Sequence, residues 1–171
     1  ADKNLVYIGT WTTSQVNIGC KGGAIKSVDD ISGKKVRGVG AYGKVFGEQG
    51  ANMVNMSIYD AYQGLDTGLI DCSQGYSYAV AALKQAEVMD SYTILDWGQV
   101  GGLGIFMNKD MHDSLTEEQQ ETLAEVGADM ADEFGRLITT ANEKAIASMK
   151  EQGVEVITLP EEDRAKLVKA G

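Results

Sequence analysis

A single amphipathic segment dominates the second half of the sequence. Thr116 and Gln119 have the pattern of a capping box, which predicts that a helix begins there. The apolar residues that follow predict a helix of about 34 residues and about 50 Å. Such a helix is longer than one small domain needs, so it either bridges two lobes or bends near Gly127 or Gly135. The stripe repeats every three or four positions, the spacing of one helix face, at Leu123, Val126, Met130, Phe134, Leu137, Ala141, Ala145 and Met149.

The rest of the sequence alternates short strand-like runs with helix-like segments. Strands are indicated by apolar runs bounded by glycine or polar residues, and helices by apolar spacing and capping patterns. This alternation is typical of a parallel sheet. We therefore predict an α/β fold with a mostly parallel sheet flanked by helices. The predicted strands are 14–20, 34–39, 52–56, 69–73, 91–97, 102–108 and 154–160, and the predicted helices are 42–51, 57–68, 78–89, 116–150 and 161–170.

Charge and composition exclude several classes of function. With 25 acidic and 15 basic residues the net charge is -10, which disfavours nucleic acids and anionic membranes as partners. No apolar run reaches the roughly 18 residues of a membrane span, and the first residues lack the basic and apolar regions of a leader, so any export signal is expected to have been removed already. With one histidine, His112, and no evident nucleophile–base pair or carboxylate dyad, we predict neither a metal, a cofactor nor an enzyme.

Two features of the predicted sheet allow a structural and a functional interpretation. Cys20 and Cys72 are the only cysteines; they form one disulfide in an oxidising compartment, or they are two small buried residues. Arg37, one of three arginines, lies in a short predicted strand, where a buried guanidinium needs an anion. That anion is either an aspartate of the chain (Asp29, Asp30 or Asp71) or a ligand.

Three stretches together resemble the solute receptors of TRAP (tripartite ATP-independent periplasmic) transporters, the C4-dicarboxylate-receptor-like family. They are IKSVDDISGKKVRG (25–38), GANMVNMSIYDAYQGLDTGLIDCS (50–73) and GLGIFMNKDMHDSLTEEQQETLAEVG (102–127). The resemblance implies a periplasmic-binding-protein-like lobe of type II. It also implies a two-lobed periplasmic receptor that closes on a small organic acid and delivers it to a membrane permease without chemistry.

The resemblance also implies a ligand site. Its arginine, which pairs with the substrate carboxylate, falls on Arg37, and Asn17 stands where the family often has a second arginine. Gly75 lies near the position of a ligand asparagine, while Cys72 replaces a glycine in the same stretch. Trp11 and Tyr76 fall close to family ligand positions and are even candidates for ligand contact or packing. The implied ligand-binding residues are therefore Arg37, Asn17, Trp11, Gly75 and Tyr76; we interpret Tyr62 as a packing residue.

The resemblance assigns the chain mainly to the second of two lobes. Residues 15–100 and 143–171 would form the second lobe, while 1–14 and 101–142 would be remnants of the first lobe and the bridging helix. The glycine-rich stretch 98–104 would be a hinge or a close backbone approach. Most of the first lobe is absent, so we expect a fragment, a truncated gene product, or one part of a nicked or swapped assembly. The alternative function is a small-molecule-sensing input domain on the same fold.

Overall fold

The computed structural model describes residues 3–97 and 102–170; residues 98–101 of the predicted hinge lie outside the described part. The strands are β1 Leu5–Thr12, β2 Val16–Cys20, β3 Lys35–Arg37, β4 Asn52–Val54, β5 Cys72–Gly75, β6 Ser91–Trp97, β7 Gly102–Asn108 and β8 Glu155–Thr158. The α-helices are α1 Gly40–Glu48, α2 Ala61–Asp66, α3 Ser77–Ala82, α4 Lys109–Asp113, α5 Glu117–Glu151 and α6 Glu161–Ala170. Short 3₁₀ helices lie at Val28–Ile31, Ile58–Asp60 and Gln85–Val88.

The chain divides into two compact units. The small unit consists of Ala1–Thr13 and Gln99–Thr140, and the large unit consists of Ser14–Gly98 and Ala141–Gly171. Helix α5 contributes residues to both units.

The large unit is built around a six-stranded sheet with the order β4-β3-β5-β2-β6-β8. Strand β3 is parallel to β4 and β5, and β6 is parallel to β8, whereas β2 is antiparallel to both of its neighbours. All strands of this sheet except β2 therefore point the same way, which confirms the predicted α/β fold with a mostly parallel sheet. Because side chains alternate along a strand, β6 sends Leu95 and Trp97 into one apolar cluster and Tyr92 into the other.

Several predicted elements differ in extent from those observed, and strand β1 and helix α4 were not predicted. Strand β5 begins at Cys72 rather than at Leu69, because the preceding residues close helix α2: the N–H of Ile70 donates to the carbonyl oxygen of Gly64 at 3.1 Å. The predicted helix 78–89 is broken at Lys84, whose φ of 55° is left-handed. These breaks shorten the elements and leave their order unchanged.

The small unit combines a two-stranded antiparallel ribbon of β1 and β7 with helix α4 and the first part of α5. Helix α5 has 35 residues, which confirms the predicted long helix. Its capping box is present: the N–H of Thr116 donates to Gln119 Oε1 at 3.0 Å, and the N–H of Gln119 donates to Thr116 Oγ1 at 3.3 Å. Gly127, a predicted bend position, instead lets the helix approach β1, since a β-carbon there would lie 1.7 Å from the carbonyl oxygen of Ile8.

The apolar core lies in the large unit. Both clusters of buried apolar side chains belong to it, and within the described residues the small unit contributes no buried large apolar side chain. No described helix is long and apolar enough to cross a membrane. In contrast to the large unit, the small unit exposes many of its large apolar side chains: Leu5, Tyr7, Trp11, Leu103, Ile105, Phe106, Met111, Val126 and Leu137.

Candidate functional site

Arg37 is the last residue of β3, at the carboxyl end of the parallel strands. Arg37 is only 6% exposed. Its Nε donates to the carbonyl oxygen of Met56 at 3.1 Å, and its Nη1 donates to the carbonyl oxygen of Gln74 at 2.8 Å. Two main-chain carbonyls thus hold the guanidinium at an edge of the sheet where α/β folds place ligands.

The charge of Arg37 has no anionic partner in the described part of the chain. The aspartates considered as partners do not pair with it: Asp30 accepts from the N–H groups of Lys26 and Ser27, and Asp71 accepts from the N–H of Lys35 and pairs with the same lysine's ammonium group. Burial lowers the pKa of Arg37. A buried cation without an anion is costly, so a bound anion would offset this cost.

Asn17 lies in the middle of the same sheet, where its side chain serves the backbone. The register of β2 and β6 shifts between Val16 and Ile18, and Asn17 Oδ1 accepts from the N–H groups of Leu95 at 2.9 Å and Asp96 at 3.3 Å. Its Nδ2 donates to Ser77 Oγ at 3.3 Å. The amide of Asn17 therefore stabilises an irregularity of the sheet.

Ser77 connects Asn17 to a buried tyrosine. Its Oγ lies 3.0 Å from the hydroxyl of Tyr92, and burial raises the pKa of Tyr92 to about 12. The three side chains form a polar network inside the large unit, close to the end of β5.

Gly75 and Tyr76 follow directly after the residue that holds Arg37. Gly75 ends β5 and lies opposite Asn17 in the ladder. The half-buried Tyr76 stacks on Tyr78, with ring centroids 5.6 Å apart and an interplanar angle of 7°. The fold thus places Arg37, Gly75 and Asn17 on the neighbouring strands β3, β5 and β2, with Tyr76 directly after β5.

The two tryptophans have separate surroundings. Trp11 lies in the small unit, where its ring meets the ring of Phe134 edge-on at 5.4 Å. Trp97 is buried in the core of the large unit, edge-on to Tyr42 at 4.8 Å and Phe46 at 5.7 Å. Trp97 is therefore a core residue.

Cys20 and Cys72 form a disulfide with an S–S distance of 2.14 Å. They lie opposite each other on the adjacent strands β2 and β5, with a Cα–Cα distance of 4.1 Å. The bond fastens together the two strands that carry Asn17 and Gly75.

Sequence reasoning missed Gln74 as a site residue. Its carbonyl oxygen holds Arg37, and its side-chain Oε1 accepts from the N–H of Val39 at 2.9 Å. The available signal was weak: Gln74 directly follows the predicted buried strand 69–73, and buried amides are uncommon. Among the described residues no cluster of histidine, cysteine, aspartate or glutamate could hold a metal ion.

Comparisons with known proteins show the family of the chain. Residues 1–171 match the family described as bacterial extracellular solute-binding protein, family 7. The 2,3-diketo-L-gulonate-binding periplasmic protein YiaO of Escherichia coli is 29% identical over 162 residues, which cover 91% of this chain and 48% of that protein. The chain therefore spans about half the length of this relative.

Solved structures have the same fold. A TRAP periplasmic solute-binding protein from Sulfitobacter with bound β-D-galacturonate aligns with a TM-score of 0.86 and 22% identity, over 99% of this chain and 56% of that one. A second one, from Rhodoferax ferrireducens with bound malonate, aligns with a TM-score of 0.86 and 21% identity, over 99% of this chain and 54% of that one.

Proposed function

Because the chain belongs to family 7 of the bacterial extracellular solute-binding proteins, we propose that it binds a small organic acid through Arg37 and serves the membrane permease of a TRAP transporter. Family membership confirms the resemblance seen in the sequence, and it supports a role in transport rather than in catalysis. Its named relatives are periplasmic binding proteins, which confirms the predicted location.

The uncompensated charge of Arg37 is the observation that supports a carboxylate ligand. A guanidinium presents its N–H groups as a planar fork that matches both oxygens of a carboxylate. In Arg37 the Nε and Nη1 atoms each donate to a main-chain carbonyl, of Met56 and of Gln74, while Nη2 donates to no described protein atom. An anion that accepts from the remaining N–H groups would neutralise the buried charge.

The relatives indicate the class of solute. The E. coli relative is named for a keto sugar acid, and the two solved structures described above contain galacturonate and malonate. All of these solutes carry a carboxylate. We propose the same class for this chain, with Tyr76, Gly75 and Asn17 close to the bound acid.

We also propose a lobe assignment. The large unit would be the second lobe, predicted as 15–100 with 143–171, and the small unit would be part of the first. This proposal is supported by the exposed apolar side chains of the small unit and by relatives about twice as long as this chain. The remaining part of the first lobe, or the same part of a swapped copy, would cover those side chains.

Replacing Arg37 with lysine tests the carboxylate site. Charge-assisted hydrogen bonds are worth about 1.5–3 kcal/mol, so Arg37→Lys should weaken malonate or galacturonate binding at least about tenfold. Two-dimensional NMR titration at millimolar acid measures even weak binding. Arg164→Lys is the matched control, since Arg164 makes a surface ion pair with Asp96 and should leave affinity unchanged. Equal affinity of Arg37→Lys and the unmodified chain would contradict the proposal.

A further inference from the structure

Gln74 connects the strand end that carries Arg37 with the start of helix α1. It is 4% exposed. Its main-chain oxygen accepts from Arg37 Nη1, and its side-chain Oε1 accepts from the N–H of Val39, the residue before α1. The acceptor atoms of Gln74 are therefore both used by residues that flank Gly38.

The side-chain nitrogen of Gln74 is not used by the protein. Within the described chain, Nε2 of Gln74 donates no hydrogen bond. The atom is not sealed from solvent. The same holds for Arg37 Nη2. Two residues that are more than nine-tenths buried thus each keep a hydrogen-bond donor in contact with solvent.

These two donors belong to one locality. Arg37 Nη1 lies 2.8 Å from the carbonyl oxygen of Gln74, so the guanidinium and the amide of Gln74 are separated by little more than the length of one residue. The absence of a side chain at Gly38 lets the Gln74 amide lie against the end of β3, because a β-carbon there would lie 3.4 Å from Gln74 Oε1 and 3.0 Å from the Met53 methyl carbon. The anchored Oε1 also fixes the direction of Nε2.

We propose that Gln74 Nε2 is a second ligand donor, which binds an acceptor oxygen of the solute other than those of the carboxylate held by Arg37. This inference rests on the proposed function and deepens it. The chemical class that satisfies both donors is an acid with a second oxygen acceptor, either another carboxylate or a hydroxyl group. A simple monocarboxylate would leave Nε2 without its partner, so Gln74 selects between solutes.

The test compares malonate, which has a second carboxylate, with propionate, which has none. NMR titrations of the 171-residue chain record the side-chain amide signals of Gln74, assigned by their loss in Gln74→Met. We expect the chemical shifts of the Gln74 side-chain amide to change as malonate is added until they reach a plateau. Propionate should change these chemical shifts much less. Gln74→Met should weaken malonate binding about tenfold and propionate binding by less than threefold. Gln63→Met, on the exposed surface of α2, is the matched control and should alter neither.

The outcomes separate this inference from the proposed function. If Arg37→Lys weakens malonate binding but Gln74→Met weakens malonate and propionate equally, Gln74 only positions Arg37 and this inference is wrong, while the receptor function stands. An unshifted Gln74 amide at saturating malonate leads to the same conclusion. If neither acid binds the unmodified chain at any concentration reached, both the proposed function and this inference are overturned for these acids.

Discussion

Asn17 and Arg37 are both buried polar residues of one sheet, but their side chains are satisfied differently. Asn17 uses its amide oxygen and nitrogen within the protein, on the backbone of β6 and on Ser77. Arg37 has main-chain acceptors for part of its guanidinium and no anion within the described chain. Because unpaired buried charge is more costly than a satisfied amide, Arg37 is the residue whose burial calls for a ligand.

Tyr92 makes the stability of the large unit dependent on pH in the alkaline range. Burial raises its pKa to about 12, from an ordinary value of 10.0. The folded chain therefore holds the phenolic proton more tightly than the unfolded chain does. The stabilisation that protonated Tyr92 gives the folded chain is fully present below about pH 10 and is lost as the pH rises through about 12. The free energy of unfolding should fall by about 2 kcal/mol between pH 10 and pH 12 because of Tyr92.

Tyr92→Phe isolates this effect from other groups that titrate at high pH. The variant should be less stable near neutral pH by about 1 kcal/mol, because Ser77 loses its hydroxyl partner. Its urea-derived stability should then decline less steeply between pH 10 and 12 than that of the unmodified chain. Tyr59→Phe, at an exposed tyrosine, is the control. Parallel curves for Tyr92→Phe and the unmodified chain would show that Tyr92 has no such role.

The sequence suggested several residues of the candidate site but could not give their contacts. Arg37 could be selected because an arginine in a short strand is chemically conspicuous. The internal role of Asn17 could not, because it depends on a register shift between β2 and β6 that alternation does not encode. Gln74 was missed for a similar reason: its importance comes from a carbonyl that meets Arg37, and carbonyls are present at every residue.

Helix α5 and strand β1 meet through glycines. A β-carbon on Gly9 would lie 2.8 Å from the carbonyl oxygen of Gly127, and one on Gly127 would lie 1.7 Å from that of Ile8. Backbone atoms cannot move aside as the end of a flexible side chain can. The small unit therefore depends on the absence of side chains at this crossing.

Gly127→Ala should separate helix α5 from the β1–β7 ribbon. Overpacking usually costs about 1–3 kcal/mol, and a clash with main-chain atoms belongs at the upper end of that range. Hydrogen exchange of the ribbon amides should accelerate in the variant. Gly135→Ala is the matched control in the same helix, since nothing lies within 4 Å of a β-carbon there. It should stabilise the helix by about 1 kcal/mol. Slower or unchanged exchange in Gly127→Ala would contradict the packing role.

Elements with a strong period were predicted well, and those defined by tertiary contacts were not. The stripe of apolar residues and its capping box located α5 to within a residue at each end. The direction of β2 was not accessible, because an alternating strand has the same pattern whether it pairs parallel or antiparallel. The left-handed residue Lys84, which divides the predicted helix 78–89, also has no signal in its own residue type.

The whole chain distributes its stabilising contacts unevenly. The large unit contains both apolar clusters and the disulfide between residues 52 positions apart, a loop closure worth about 4 kcal/mol in the chain-entropy model. The small unit has no buried large apolar side chain among its described residues. We therefore expect the large unit to persist in conditions that unfold the small one, and the exposed ribbon to promote association between copies.

We expect the isolated 171-residue chain to bind organic acids weakly and to associate through the small unit. Arg37 is held by the large unit alone, and an anion that meets it from one side keeps much of its hydration. At 4 Å, two charges attract by about 1 kcal/mol in water and by about 4 kcal/mol at an effective dielectric constant of 20. Calorimetry should therefore give a dissociation constant for malonate in the millimolar range.

Light scattering tests the second half of this prediction with two matched variants. Phe106 in the small unit and Leu69 in the large unit are both 57% exposed. If the exposed ribbon causes association, Phe106→Lys should reduce the mass observed at high protein concentration, whereas Leu69→Lys should leave it nearly unchanged. The ribbon is the expected cause because its apolar side chains are contiguous along β1 and β7, while Leu69 follows the end of α2. Micromolar malonate affinity of a strictly monomeric chain would contradict this prediction.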